Sequence, residues 1–392
     1  MSIIRSGFTI LMLVALISPA AGQLTKGSDE ASGEIAETTP EAQATDSPGD
    51  TNSVANEEVV RGKFQRKNLM VVPIPMSSPT FGSGLILGGA YFYPQTDAER
   101  AIQPASFTAG AVGYTSNDSW VVGAMQKNYW AEDKWRFMAL GGYADLKLEL
   151  FEPESEGDQV SALDWHLRGG FFQSTLHRQI VGRWYGGVLI RYLKMTQDLD
   201  LRNIDQPIDF DSEISAVGVG LDFAYDSRDM PAYPYEGHMI EAQAISSEMS
   251  PSNRGRYQDY KLRFRTYHKF TDSLVLAGEA SYCTRSGEFP LWDACWLTLR
   301  GFPITRYMAK TAYQAQAEAR WSFSKRWGAV LFAGAGNVKD PITAEPRDGF
   351  VPSYGAGIRF MVMQSQRINV RVDYGRSSDG ENAWYLSVTE AF

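Results

Sequence analysis

The sequence predicts an all-β protein, a 16-stranded antiparallel transmembrane β-barrel preceded by a signal peptide and a disordered acidic tail. Three observations carry that expectation. From about Lys67 onward the dominant hydropathic period is two, the period of a strand with unlike faces. Short and long connections alternate along the chain, as they do on the two rims of a transmembrane barrel. The longest apolar stretch is Phe8–Ile17, interrupted only by Thr9, and ten residues are too few for a membrane-spanning helix. Composition agrees: 10 Trp, 19 Tyr, 20 Phe and 36 Gly stand beside 4 His and 2 Cys. Few metal-ligating side chains argue against a metal centre, and a net charge of −9 argues against a nucleic-acid partner.

The first element reads as an export signal over residues 1–22. Arg5 supplies the positive start, Phe8–Ile17 the apolar stretch and Ser18–Gly22 a small-residue cleavage region. Residues 23–65 form the second element, an acidic linker. Between 23 and 60 it holds nine acidic residues against one Lys, with no aromatic side chain. Such a segment buries too little apolar surface to offset its ordering entropy. It carries −8 of the chain's −9 and Arg5 contributes +1, which leaves −2 for residues 61–392.

The barrel is expected over residues 66–392. Arg367–Tyr374 shows its pattern: Ile368, Val370, Val372 and Tyr374 share one face, and Arg367, Asn369, Arg371 and Asp373 the other. Gln314, Gln316, Glu318 and Arg320 alternate in the same way with small and aromatic residues. Continuing the pattern gives strands at 68–76, 82–93, 104–115, 119–130, 134–149, 160–174, 180–196, 212–225, 237–247, 255–270, 274–285, 312–323, 327–336, 351–362, 366–375 and 382–392. Connections after even-numbered strands are mostly tight (131–133, 175–179, 271–273, 324–326), and those after odd-numbered strands mostly long (150–159, 197–211, 287–311, 338–350). The breaks at 94–101 and 116–118 are exceptions. A closed barrel satisfies every backbone polar group in lipid, which an open sheet cannot do. Trp384, Leu386, Val388 and Phe392 fall in register at the end of the last strand, where outer-membrane barrels carry a C-terminal signal; Glu390 stands where an apolar residue is usual.

Three motifs add a family. Asp226, Arg228, Asp229, Pro231 and Gly237 punctuate the turn between strands 8 and 9; Leu299-Arg300-Gly301-Phe302 lies in the long loop between strands 11 and 12; Val72-Pro73-Ile74-Pro75 leads to Ser78-Pro79-Thr80-Phe81-Gly82 at the front. Together these resemble the BamA/TamA (bacterial surface antigen) family, in a short form without POTRA modules. The resemblance implies a 16-stranded barrel in the bacterial outer membrane, with an Arg-Gly-aromatic loop tip folded into its lumen.

The loop has a physical argument of its own. Its Pro290, Trp292, Trp296 and Pro303 need burial, which an inward fold supplies. A guanidinium inside then needs a carboxylate. Glu318 on strand 12 is the first choice and matches the family's partner position; Asp373 and Glu279 are alternatives. The family often adds an Asp on strand 13, where this chain has Gly334. Cys283 and Cys295 form an even pair in an oxidising compartment and read as a disulfide at the loop base.

No catalytic constellation, cofactor motif or metal site is legible. The expected partners are outer-membrane lipid and unfolded outer-membrane protein clients. The leading function is assistance in inserting or translocating protein or lipid through a weakly closed seam between strands 1 and 16. Pro73 and Pro75 favour a weak seam, because each removes a ladder donor from strand 1. A passive channel or structural barrel is the competing class, and an outer-membrane enzyme ranks third.

Overall fold

The computed structural model describes residues 65–66, 68–151, 162–200, 212–230, 233–250, 255–344, 349–364, 367–378 and 380–392. The expected signal peptide and nearly all of the acidic linker lie outside this set. So do Pro231 and the two long connections at 152–161 and 201–211.

Sixteen antiparallel strands form one closed sheet. They are β1 Leu69–Ser78, β2 Gly82–Phe92, β3 Phe107–Thr115, β4 Trp120–Trp130, β5 Trp135–Phe151, β6 Ala162–Val181, β7 Trp184–Asp200 and β8 Ser212–Asp226. The second half comprises β9 Gly237–Ser250, β10 Arg256–Lys269, β11 Leu274–Gly287, β12 Met308–Ser322, β13 Trp327–Pro341, β14 Val351–Met363, β15 Ile368–Ser377 and β16 Asn382–Val388. Each strand pairs with its sequence neighbours. Outside the wall, Gln65–Arg66 bridges to the start of β1, and Cys295–Trp296 to the start of β12.

The two faces of each strand meet different surroundings. Leu85, Val112, Val122, Val219, Leu262, Leu331 and Ile358 point outward and are exposed. Aromatic residues bound this apolar band: Trp130, Trp184, Trp321 and Trp327 on the rim of tight turns, and Tyr114, Tyr143, Tyr260 and Tyr354 towards the other. An exposed apolar belt between aromatic girdles is the surface a bilayer solvates. The inward face divides. Ile86, Phe107, Leu140, Leu167 and Leu193 make an apolar wall over β2–β7, while buried charges crowd β10–β15.

Several boundaries differ from the sequence expectation, β13 for instance running to Pro341 and not to 336, and three of the differences bear on the lumen. Residues 175–179 are strand, and β6 runs to Val181 before a two-residue turn, with Gly182 at φ +56°. The polar residues that suggested a turn, Thr175 and His177, face the lumen instead. β12 starts at Met308 because the Cys295–Trp296 bridge extends its edge. The last strand stops at Val388. Thr389 has φ +69°, so the final residues leave the wall, and Phe392 buries its ring with Tyr267 and Ala277 rather than joining Trp384, Leu386 and Val388. Glu390 consequently faces inward. Its carboxylate accepts from Arg359 Nε at 2.8 Å and Asn369 Nδ2 at 2.9 Å, which explains a charged residue in that place.

The 93–106 connection, long for a tight-turn rim, contains a six-residue helix, Asp97–Ile102. A capping box between Thr96 and Glu99 starts it.

Closure is uneven. β5 and β6 share seventeen residue pairs, β15 and β16 share seven, and β16 and β1 share one, Leu386 with Ser77. Pro73 and Pro75 bring no N–H to β1, which limits the bonds it can make.

Candidate functional site: the inward loop and the seam

The β11–β12 loop, residues 288–307, folds into the lumen. At its base Cys283 on β11 and Cys295 in the loop form a disulfide, with Cα atoms 5.8 Å apart. A 3-10 turn, Leu291–Asp293, follows Pro290 and buries Trp292 completely in the apolar wall. Asp293 is fully buried among charges. It accepts from Arg191 at 2.9 Å, Arg285 at 3.1 Å and the Tyr257 hydroxyl at 2.6 Å. Both arginines also hold Asp259, at 3.2 and 2.5 Å. Burial alone would raise the Asp293 carboxyl; the two guanidiniums outweigh it and hold the group well below the usual carboxylate range. This box ties the loop to β7, β10 and β11 at once.

The tip carries Arg300, Gly301 and Phe302. Arg300 places its guanidinium between two carboxylates, donating through Nη2 to Glu318 on β12 and through Nη1 to Asp373 on β15 at 2.8 Å. The plane also lies over the Phe332 ring, 3.5 Å from its centroid. Two of the three carboxylates considered from sequence therefore meet Arg300. The third, Glu279, is engaged by Arg265 at 2.6 Å. Gly334, in the position where an Asp was looked for, has no room for one: a Cβ there would lie 2.9 Å from Leu299. The second carboxylate comes from β15 instead. Both acceptors have other partners, because Arg320 also holds Glu318 at 2.7 Å and Arg359 and Arg371 hold Asp373 at 2.5 and 2.6 Å.

Gly301 has φ +128°, and a Cβ on it would stand 2.9 Å from the Arg376 carbonyl carbon. Only glycine lets the tip lie against β15 this closely. Its N–H donates to the Tyr385 hydroxyl of β16 at 2.8 Å. Phe302 is buried edge-on against Tyr307, with centroids 5.2 Å apart. Beyond the tip, Ile304 N donates to Thr80 Oγ1 in the β1–β2 turn at 3.1 Å, and Arg306 pairs with Glu381 in the β15–β16 turn at 3.2 Å. The loop thus contacts both sides of the seam that the strands themselves join at one pair.

The β8–β9 turn is fixed by its own side chains. Arg228 grips both oxygens of Asp226 at 2.9 and 2.7 Å. Asp229 accepts from the Tyr235 and Glu236 amides at 2.9 and 3.3 Å and from Arg367 at 2.6 Å. Gly237, at φ +107°, closes the turn where a Cβ would strike Ser227 O at 2.4 Å.

Sequence reasoning missed the box of Arg191, Asp259, Arg285 and Asp293. Alternation in the sequence places Asp259 on the same face as Lys261, Arg263 and Arg265, and that signal was available. Nothing local marks Asp293 as its loop partner.

No family model and no curated protein sequence matches this chain. Solved structures do share its fold. BamA from Haemophilus ducreyi, in a form lacking POTRA domains 1–3, superposes with a TM-score of 0.56 at 12% identity, over 83% of this chain and 70% of that one. CdiB from Acinetobacter baumannii gives 0.54 at 11% identity and CdiB from Escherichia coli 0.52 at 10%, each over 83% of this chain. The chain spans 60% and 64% of those two proteins, less than two thirds of either. The described residues therefore form a sixteen-stranded β-barrel of the fold seen in BamA and CdiB.

Proposed function

We propose that this barrel assists insertion or translocation of protein or lipid at the outer membrane, using the β1–β16 seam as a lateral opening. The observation that carries this reading is the single Ser77–Leu386 pair, against at least seven pairs at every other junction of the wall. Opening one pair breaks few backbone hydrogen bonds, whereas parting any other junction would strand many in lipid. The fold shared with BamA and CdiB supports a role of this class, and the inward loop gives the seam a brace. A substrate for this opening is an extended or unfolded outer-membrane segment that adds to the free edge of β1 by strand pairing.

The test is reconstitution. Purified barrel in liposomes should speed the folding of an added urea-unfolded outer-membrane protein, read as appearance of its heat-modifiable band, or speed lipid transfer between leaflets. A barrel that does neither, and instead carries a large, steady, ion-selective current in planar bilayers, would make the channel reading the correct one.

A further inference from the structure

The seam is short partly because the chain turns away from it. β16 stops at Val388, and Thr389 takes φ +69°, a left-handed conformation that is costly for a β-branched side chain. The bend carries Glu390, Ala391 and Phe392 off the wall and into the lumen, where all three are buried. Two arginines of the wall hold them there. Arg359 Nε donates to both oxygens of the Glu390 carboxylate, at 3.1 and 2.8 Å, and Asn369 adds a bond at 2.9 Å. Arg320 donates to the backbone oxygen of Phe392 at 3.0 Å. Its guanidinium lies among the rings of Tyr233, Tyr267 and Phe392, 5.6, 5.5 and 5.3 Å from their centroids. Carboxylates of the wall orient both arginines, Glu318 holding Arg320 at 2.7 Å and Asp373 holding Arg359 at 2.5 Å. The seat is therefore built by the wall and not by the segment that occupies it.

The register says where the same residues would go without the bend. β1 and β16 are antiparallel and meet at Ser77 and Leu386. A straight β16 would set Val388 opposite Pro75, Glu390 opposite Pro73 and Ala391 opposite Val72. On its other side Val388 pairs with Val370, so Glu390 would fall beside Ile368 of β15. Thr389 N already donates to Asn369 O at 2.7 Å, the first bond of that continuation. The straightened segment would lie between β15 and β1 and cover the start of β1, where Leu69 and Val71 are now exposed. The four residues thus have two places to be, and strain at Thr389 opposes the one they occupy.

We propose that Thr389–Phe392 is a latch on the seam, an inference that rests on the reading of that seam as a lateral opening. Tucked on Arg320 and Arg359, the segment leaves the edge of β1 free for an incoming strand. Released, it continues β16 along β1 and shuts that edge.

Cysteine trapping of the full-length barrel in liposomes tests this. Val72→Cys/Ala391→Cys are opposite each other only in the released register, and Ile74→Cys/Ala391→Cys are two residues out of it. Each pair is placed in the parent, in a Glu390→Ala barrel and in a Thr389→Gly barrel, all confirmed as folded by heat modifiability. Disulfide formation under a mild oxidant is followed by mass spectrometry. With Glu390→Ala the 72–391 link should form about tenfold faster or more, the factor implied by loss of a charge-assisted hydrogen bond. It should also outpace the 74–391 link in that barrel. Thr389→Gly removes the cost of the positive φ and should slow the 72–391 link below the parent rate. An unchanged 72–391 rate in either variant overturns the proposal, as does a faster one with Thr389→Gly. Equal acceleration of both links would mean that the segment leaves the lumen without joining β1, which also overturns it. These rates need no client, so they judge the latch alone. A barrel that fails in the reconstitution assay leaves the trapping result intact, and failed trapping leaves the lateral opening standing.

Discussion

Replacing Arg300 by Ala removes the one side chain that joins the loop tip to two walls of the barrel. Its guanidinium is 7% exposed, and Glu318 and Asp373 are fully buried. Breaking a wholly buried pair costs about 3–5 kcal/mol, and an exposed pair contributes about 0–1 kcal/mol. Here the loss falls short of the buried limit, because Glu318 keeps Arg320 and Asp373 keeps Arg359 and Arg371. The contact with Phe332 contributes about 0.5–1 kcal/mol more. A cost of about 2–4 kcal/mol follows, and it acts on local opening of the loop, since the strand ladder does not depend on Arg300. That corresponds to roughly a 30- to 900-fold larger open population. Limited proteolysis of the loop reports this population when reclosing outpaces cleavage. Arg300→Ala should raise the cleavage rate by that factor, and Glu318→Ala by less, because Asp373 still holds the guanidinium. The double variant should cost less than the sum of the singles by at least about 1 kcal/mol. Strictly additive effects would mean that the two side chains do not act on each other, and the inward-tip account would fail.

Two further outcomes follow from the same geometry. Gly301→Ala places a methyl 2.9 Å from the Arg376 carbonyl carbon at φ +128°, so it should loosen the tip as Arg300→Ala does, with all charges intact. Unchanged loop proteolysis in that variant would contradict the backbone contact. Acid should release the loop base: Asp293 is held below its unfolded value of about 4, so its contribution is complete above that pH and disappears as the pH falls below it. Protection of the amides of residues 288–297 against hydrogen exchange, relative to the intrinsic rate at each pH, should therefore fall on going from pH 7 to pH 3, and Asp293→Asn should flatten that difference; an equal pH response in both proteins would count against it.

The strands were legible because alternation is a local property. Each inward residue is flanked by outward ones, so the Gln314–Arg320 run declares its faces without knowledge of the rest. The two-residue turn at Gly182-Arg183 was hidden by the polar Thr175, His177 and Gln179, which look like a turn until the lumen accepts polar side chains. The end of the chain misled for a related reason: Phe392 continues the outward register in sequence, but one positive φ at Thr389 turns it inward. At the loop tip, the inward placement of Glu318 and Asp373 was readable from their strands. That both reach one guanidinium was not, because β12 and β15 are brought together around Arg300 only by curvature of the closed wall. The Asp293 box joins residues up to 102 apart and leaves no trace in spacing.

The most direct test of the account is to lock the seam. A Ser77→Cys/Leu386→Cys pair joins β1 to β16 at their one shared position. Oxidised, this barrel should stay folded and heat-modifiable yet lose its acceleration of client folding or lipid transfer in liposomes, and reductant should restore it. Full activity in the oxidised form, with the cross-link confirmed by mass spectrometry, would contradict a lateral opening at this seam.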